Sequence, residues 1–283
     1  MNVSATAPPV PELKPGTVVK SLRDVLVLTR RNITRTLRIP EVVVLGLVQP
    51  LIFVLLFAYI LAGSFRLPGV EGADAYREYM MPGIFAQSLA FGTASNSSVS
   101  MANDVKSGMV DRFRSLPVAR GALLTGRTLA DLVQNAFVLA VMTLCALLIG
   151  WRFHHGLLRA AAGFAVLLLM GYALSWVGVL IGLSVRAPEA AVTTNLLWLF
   201  PLTFLSNAFV APSTLPTVLR WFAEWNPLTA TVQAARHLFG NPGINTTGAW
   251  PSHHPLLVSV AWSVLVAVVA RTLAVRRYNS VGS

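Results

Sequence analysis

The chain has 283 residues, 55% of them apolar and only 12% charged, with a mean hydropathy of +0.65. A soluble domain carries roughly 25% charged residues, so a soluble enzyme, a disordered chain and a fibrous repeat are excluded and the bilayer is the expected solvent. The net charge of +11 would suggest nucleic acid in a soluble protein; here its distribution along the chain decides.

Residues 1–16 are polar and proline-rich (Pro8, Pro9, Pro11, Pro15) and read as a disordered tail, without the basic-then-apolar order of a secretory signal. Over 17–41, Val18, Val19, Leu22, Val25, Leu26, Ile33 and Leu37 recur at steps of three and four, with Lys20, Arg23, Arg30, Arg31, Arg35 and Arg38 between them. That pattern predicts a basic amphipathic helix lying in the membrane interface; a solvated helix packed on protein is the alternative. Apolar runs at 42–63, 79–102, 129–151, 157–184, 190–211 and 255–275 each reach the about 20 residues that a spanning helix needs. The predicted fold is all-α and integral to the membrane, with six transmembrane helices forming one domain over 42–278 and a short tail at 279–283. The second span is the weakest by hydropathy, because Gln87, Ser88, Ser95, Asn96, Ser97, Ser98 and Ser100 interrupt it.

Six spans put both ends on one side. If that side is the cytoplasm, it holds sixteen of the 22 Lys and Arg, the excess that the positive-inside bias requires. Both termini are therefore expected in the cytoplasm, the positive charge is mainly an orientation signal, and nucleic acid drops out as a partner. The preference for Arg over Lys hints at a GC-rich bacterial genome and so at a bacterial inner membrane. Three connections are too long to be turns. Segment 64–78 reads as a short polar outer loop, and 103–128 as a charged inner connection with helical sections broken by Pro117. Segment 212–254 holds two amphipathic runs, 217–225 and 228–239, split by Asn226-Pro227. Trp221, Phe222 and Trp225 are aromatics of the kind found at headgroup level, which predicts two short helices dipping into the outer leaflet.

Chemical motifs are few. The stretch Gly121-Ala-Leu-Leu-Thr-Gly126-Arg127-Thr128 is a near miss to a phosphate-cradling loop, with Arg127 in place of Lys and no buried strand before it; any use of ATP needs another chain. The histidines (His154, His155, His237, His253, His254) fall in outer segments and read as solvated rather than metal-binding. Cys145 is the single cysteine, so no intrachain disulfide is possible. No catalytic, cofactor-binding or metal-binding residue is assigned to this chain. Gly92, Asn96, Ser100 and Asn103 share one face of span 2, either as helix-packing glue or as the wall of a transport route. Gly163, Gly171, Gly178 and Gly182 suggest close packing or bending of span 4, and Pro201 a kink in span 5. No charged residue is expected deep in a span, which argues against an ion-coupled transporter.

Two segments carry a family resemblance. Asp111-Arg-Phe-Arg-Ser-Leu-Pro117-Val-Ala-Arg120-Gly, running on to Gly126-Arg127-Thr-Leu-Ala-Asp131-Leu, resembles the cytoplasmic connection of type-2 ABC export permeases, most closely the daunorubicin-resistance subgroup. Phe204-Leu-Ser-Asn207-Ala-Phe-Val-Ala-Pro212, then Leu215-Pro216, Asn226-Pro227-Leu and Ala235-Arg236, resembles the same family's segment after span 5. The chain departs from the family in Lys106-Ser107, where many relatives place an acidic residue before the position of Gly108, and in Ala211 before Pro212.

The resemblance implies a permease half. It would pair with a second half, identical or related, above two copies of a separate ATPase that holds ATP and Mg. Segment 104–121 would be the coupling element, with Asp104, Gly108, Asp111, Arg112, Phe113, Arg114, Ser115, Leu116 and Pro117 at the ATPase contact; Phe113 and Leu116 could fill a pocket and the charged residues add charge-assisted bonds. Asn207, Pro212, Pro216, Asn226, Pro227 and Arg236 would build an outer, re-entrant gate. Gln87, Ser88, Asn96, Asn195 and Thr203 are the candidates to line the route. A route without buried charge suits a hydrophobic or amphiphilic compound, drug-like or lipid; a lipid-linked polysaccharide is the alternative, and a non-transporting structural membrane protein the alternative of another class.

Overall fold

The computed structural model describes residue 29 and residues 40–61, 72–114, 121–208, 215–243 and 249–280; within these, only the backbone is described at 40–46, 60, 61, 73, 111, 113, 114 and 122. Among the described residues there are helices and no strands. The tail at 1–16 and nearly all of the predicted interfacial helix at 17–41 lie outside them.

Helix α1 (Pro40–Leu55) carries Pro50 and continues into a wider turn, Leu56–Leu61. Helix α2 (Ala73–Lys106) has 34 residues, about 51 Å at 1.5 Å per residue, well beyond the bilayer core. It starts six residues before the predicted span, so the end of the predicted outer loop is helical. After the turn at Ser107 and Gly108 comes the short α3 (Met109–Arg114); Gly108 has φ +66, a left-handed geometry that only glycine adopts freely. Helices α4 (Ala122–Ile149) and α5 (Gly156–Ser184) follow, α4 closing on a left-handed cap at Gly150.

Helix α6 (Pro188–Phe204) passes through Pro201 and ends seven residues short of the predicted span, where Leu205 N bonds back to Pro201 O at 3.0 Å and a turn begins. The two predicted amphipathic runs are α7 (Thr217–Trp225) and α8 (Pro227–Phe239). Asn226 caps α8 by accepting from Leu228 N at 2.8 Å, and Pro227 opens it. A single turn, α9 (Trp250–His253), leads into α10 (Pro255–Ser280), which runs five residues past the predicted span and takes in the first two residues of the predicted tail.

Among the described residues, three helices are long and apolar enough to cross a membrane: 123–149, 156–184 and 255–280. Helix α2 falls short on composition because of its many polar residues, some buried and some exposed. The bundle is organised around the α2–α5 crossing, with α10 and α8 packed on α5 and α6 on α2. That crossing is close because of glycine. A Cβ at Gly178 would lie 2.6 Å from Ala94 O, one at Gly182 2.5 Å from Ser98 O, and one at Gly163 2.7 Å from the Phe239 ring, whereas at Gly171 it would meet only ordinary contacts.

Two apolar clusters divide the bundle. The larger is centred on Trp151, whose ring meets Phe85 and Phe239 edge-on at 5.5 and 5.3 Å. Its indole N–H donates to Asn241 Oδ1 at 3.0 Å, and Asn241 Nδ2 donates to Arg152 O at 2.8 Å, which stitches the end of α8 to the α4–α5 turn. The smaller cluster joins Met101, Leu124, Trp176, Val179, Leu183, Ala270, Ala274 and Tyr278 with Val110 of α3. Among the described side chains of the short helix, Val110 is buried and packs in the bundle.

Candidate functional site

Three groups of residues carry polar chemistry, and α2 runs through all of them. At the α3 end, Asp104 near the C-terminus of α2 forms an ion pair with Arg127 in the second turn of α4; each side chain is 14% exposed. Two turns back on α2, Ser97 Oγ donates to Asp131 Oδ2 at 2.6 Å. Arg127 therefore serves an ion pair between helices. The near-miss phosphate motif is helical from Ala122, with Thr125 N bonded to Gly121 O at 3.0 Å, and no strand precedes it among the described residues.

Asp104, Gly108 and the backbone of Asp111 to Arg114 are thereby placed on one arm: helix end, left-handed turn, short helix. Arg112 is exposed. Ser115, Leu116 and Pro117 lie outside the described residues.

Midway along α2, the face drawn from the sequence resolves into two. Thr93, Ala94, Ser97, Ser98, Met101 and Ala102 are buried, while Asn96 and Asn103 are exposed and Ser88, Gly92 and Ser100 half-exposed. Nothing lies within 4 Å of a Cβ placed on Gly92. Among the described helices, none covers Asn96 or Asn103. On one flank Phe91 meets Phe200 of α6 edge-on at 5.9 Å, and Phe200 stacks on Phe204 at 5.3 Å.

The remaining route candidates are placed differently. Gln87 is buried. Asn195 is fully buried: its amide donates to Ser98 Oγ and its carbonyl accepts from Trp198 Nε1 at 3.3 Å. Thr203 is also fully buried and bonds back to Leu199 O at 2.7 Å. Asn195 thus ties α6 to α2, while Thr203 bonds within α6, and both are buried.

At the other end a charge lies inside the bundle, on a helix outside the six predicted spans. Arg236 of α8 is 2% exposed. Its Nε donates to Tyr79 O at 2.9 Å, and its two terminal nitrogens donate to Asn207 Oδ1 at 2.9 Å and Asn207 O at 3.1 Å; the guanidinium sits 3.7 Å from the centre of the Tyr79 ring. Tyr79 Oη donates to Asn207 O at 3.2 Å, and Asn207 N donates to Thr229 Oγ1 at 3.0 Å. Arg236 and Asn207, 29 positions apart, are in direct contact; the part of Tyr79 and Thr229 had no signal in the sequence.

Gly83 lets the turn approach α2, for a Cβ there would lie 2.8 Å from Ala208 O. Helix α8 is accordingly buried in the bundle rather than lying at its surface. Helix α7 lies at the surface of the bundle, with Trp221, Phe222 and Trp225 exposed. Between α6, α7 and α10 lies an apolar cavity of about 400 Å³ lined by Trp198, Leu202, Trp221, Phe222, Trp225 and Trp262. Pro216 is exposed before α7, Asn226 also donates to Leu202 O at 2.7 Å, and Pro212 is outside the described residues.

The histidines are exposed, with His154 paired to Glu78 at 2.8 Å, and among the described residues no cluster fit for a metal occurs.

The sequence that builds these three groups matches, over residues 23–239, a family described as ABC-2 type transporter. The chain belongs to the ABC-2 type transporter family. It is 32% identical over 232 residues, 82% of its length and 77% of the relative's, to the daunorubicin resistance ABC transporter permease protein DrrB1 of Streptomyces coeruleorubidus. It is 26% identical over 201 residues, 71% of its length and 69% of the relative's, to the doxorubicin resistance permease DrrB of Mycobacterium tuberculosis. It is 24% identical over 230 residues, 78% of its length and 75% of the relative's, to the putative transport permease ycf38 of Cyanophora paradoxa. As an ABC-2 family member with long apolar helices, it is a multi-pass membrane permease.

Proposed function

We propose that the chain is the permease half of an ABC exporter that moves a hydrophobic or amphiphilic, drug-like or lipid, compound out of the cytoplasm or inner leaflet. Six helices, α1, α2, α4, α5, α6 and α10, span the membrane with both termini in the cytoplasm, and α7 and α8 form the re-entrant outer element. A second permease half covers the open face of α2, and two copies of a separate ATPase, which hold ATP and Mg, dock on α3 and the residues after it.

The observation that carries this reading is the open polar stripe of α2. It holds Ser, Gly and Asn without a charge, and it is left uncovered by every described helix of its own chain. Such a face is costly against lipid and suits a partner subunit with an amphiphile passing between them. The names of the two resistance permeases agree with a drug-like cargo. ATP binding would close the ATPases and shift the population of permease pairs from inward- to outward-open.

The test is the double substitution of Phe113 and Arg114 by alanine. Losing an apolar anchor and a charge-assisted contact is expected to weaken ATPase association by roughly 30-fold or more, the size of a single interface hot spot, and to abolish export. Copurification with the ATPase and efflux of a fluorescent anthracycline read the two effects. Survival of both would overturn the coupling assignment.

A further inference from the structure

We propose that the two polar bridges between α2 and α4, Asp104–Arg127 and Ser97–Asp131, are the transmission that carries movement of the α3 arm to the polar stripe, with Arg127 as the positioning residue. The proposal rests on the coupling reading above and adds to it the part that does the coupling inside the permease.

The register of the bridges supports a mechanical role. Helices α2 and α4 run in opposite directions from the connection that holds α3, so Asp104 meets the residue nearer the start of α4 and Ser97 the residue one turn further on. Between the bridges on α2 lies Met101, which shares one buried cluster with Leu124 of α4 and Val110 of α3. A push on α3 is therefore delivered at the same joint. The residues that precede the two bridging positions of α2, Asn96 and Asn103, belong to the open stripe. Thr29 adds a third element by donating to Gly126 O at 3.1 Å.

Stability does not explain why this joint is ionic. Removing a charged pair from water costs about what the pair returns, and an apolar pair of the same volume holds helices as well. What the guanidinium adds is direction. Arg127 is held by Asp104 across the gap and lies in electrostatic reach of Asp131 one turn along its own helix, and its Nε meets no acceptor among the described residues. It can turn toward either carboxylate without leaving the joint, which gives α2 and α4 two registers set by the position of the arm.

The test uses the complete transporter, permease and ATPase together, in membrane vesicles, with C145S removing the single cysteine and N96C placing a thiol on the stripe. The rate of labelling by a membrane-impermeant maleimide, with and without ATP plus vanadate, reports movement of the stripe without requiring a known cargo. R127D is expected to reduce the nucleotide-dependent change in rate by roughly fivefold or more, the low end of coupling between linked sites, while the ATPase still copurifies; D104R, at a residue also expected at the ATPase contact, is expected to lose at least as much. The reversed pair, D104R with R127D, is expected to restore it, which a merely structural role would not require.

R127K, which keeps the charge but loses the planar fork, serves if the reversals misfold and is expected to show a smaller loss of the same kind. The proposal falls if the folded single variants respond to nucleotide like the parent, or if the reversed pair stays flat with ATPase bound. Failure of the parent permease to bind the ATPase overturns the coupling reading itself, and this proposal with it.

Discussion

Arg236→Ala is expected to destabilise the permease by about 3 kcal/mol and to release α8 from α2. The figure follows from counting what is stranded rather than what is removed. A hydrogen bond to a charged group contributes about 1.5–3 kcal/mol, and a buried acceptor left alone costs about 1–3 kcal/mol. Asn207 O keeps its bond from Tyr79 Oη at 3.2 Å, so the acceptor stranded outright is Asn207 Oδ1, with Tyr79 O losing a strong donor beside the proline-loosened turn at Pro82. Against this, the variant no longer buries a guanidinium, which recovers part of the loss.

Arg236→Lys separates the parts of the effect. It keeps the charge over the Tyr79 ring but cannot reach Tyr79 O and Asn207 together from one ammonium, and should fall between the parent and the alanine variant. Arg236→Leu tests whether the charge matters at all; it should resemble alanine in losing the tie between α8, α2 and the turn at Asn207, despite filling more of the volume. Thermal unfolding in detergent orders the four proteins. A leucine variant as stable as the parent would mean that the bonds to Tyr79 and Asn207 do not tie α8 in place.

The ends of the sequence-to-structure inference that failed are those set by residues far apart in the chain. The run at 228–239 was legible as a helix because Asn226-Pro227 is a cap followed by a first-turn proline, both local signals. Its depth was not, because an amphipathic pattern looks the same at a membrane surface and in a bundle. The partner that draws Arg236 inward, Tyr79, is 157 positions away. The same limit applies to α2. Its serines and asparagines repeat on all sides, and nothing local says that Ser97 and Ser98 are taken up by Asp131 and Asn195 while Asn96 is left open. Asn195 and Thr203 read as route residues because polar side chains in a span invite that reading; each is already bonded inside its own chain. Asp104 and Asn207 were found through motif likeness alone, and their contacts supply the physical reason that likeness lacked.

Gly178→Ala and Gly182→Ala are each expected to cost about 3 kcal/mol, the upper part of the range for overpacking a filled interface. The sign is decided by what the new methyl would meet. At Gly178 it is 2.6 Å from Ala94 O and at Gly182 2.5 Å from Ser98 O, main-chain atoms of a helix that cannot rotate aside. Helices α2 and α5 must separate, and the loss of packing along the crossing exceeds the about 1 kcal/mol that alanine gains over glycine in a helix interior.

The pair should be less than additive, since one separation of the same two helices accommodates both methyls. Gly171→Ala is the internal control. There the methyl would find Thr93 Oγ1 at 3.6 Å, an ordinary contact, so the propensity gain survives and stability is kept or slightly raised. Gly92→Ala, facing open space, should be as stable as the parent when the isolated chain is melted in detergent, yet reduce export if a second permease half or the cargo uses that face. Heating in detergent followed by size-exclusion chromatography reads the stability of all four, and vesicle efflux reads the last. If Gly92→Ala unfolds with Gly178→Ala and Gly182→Ala, the stripe packs inside the chain and the open face on which the transport route is drawn does not exist.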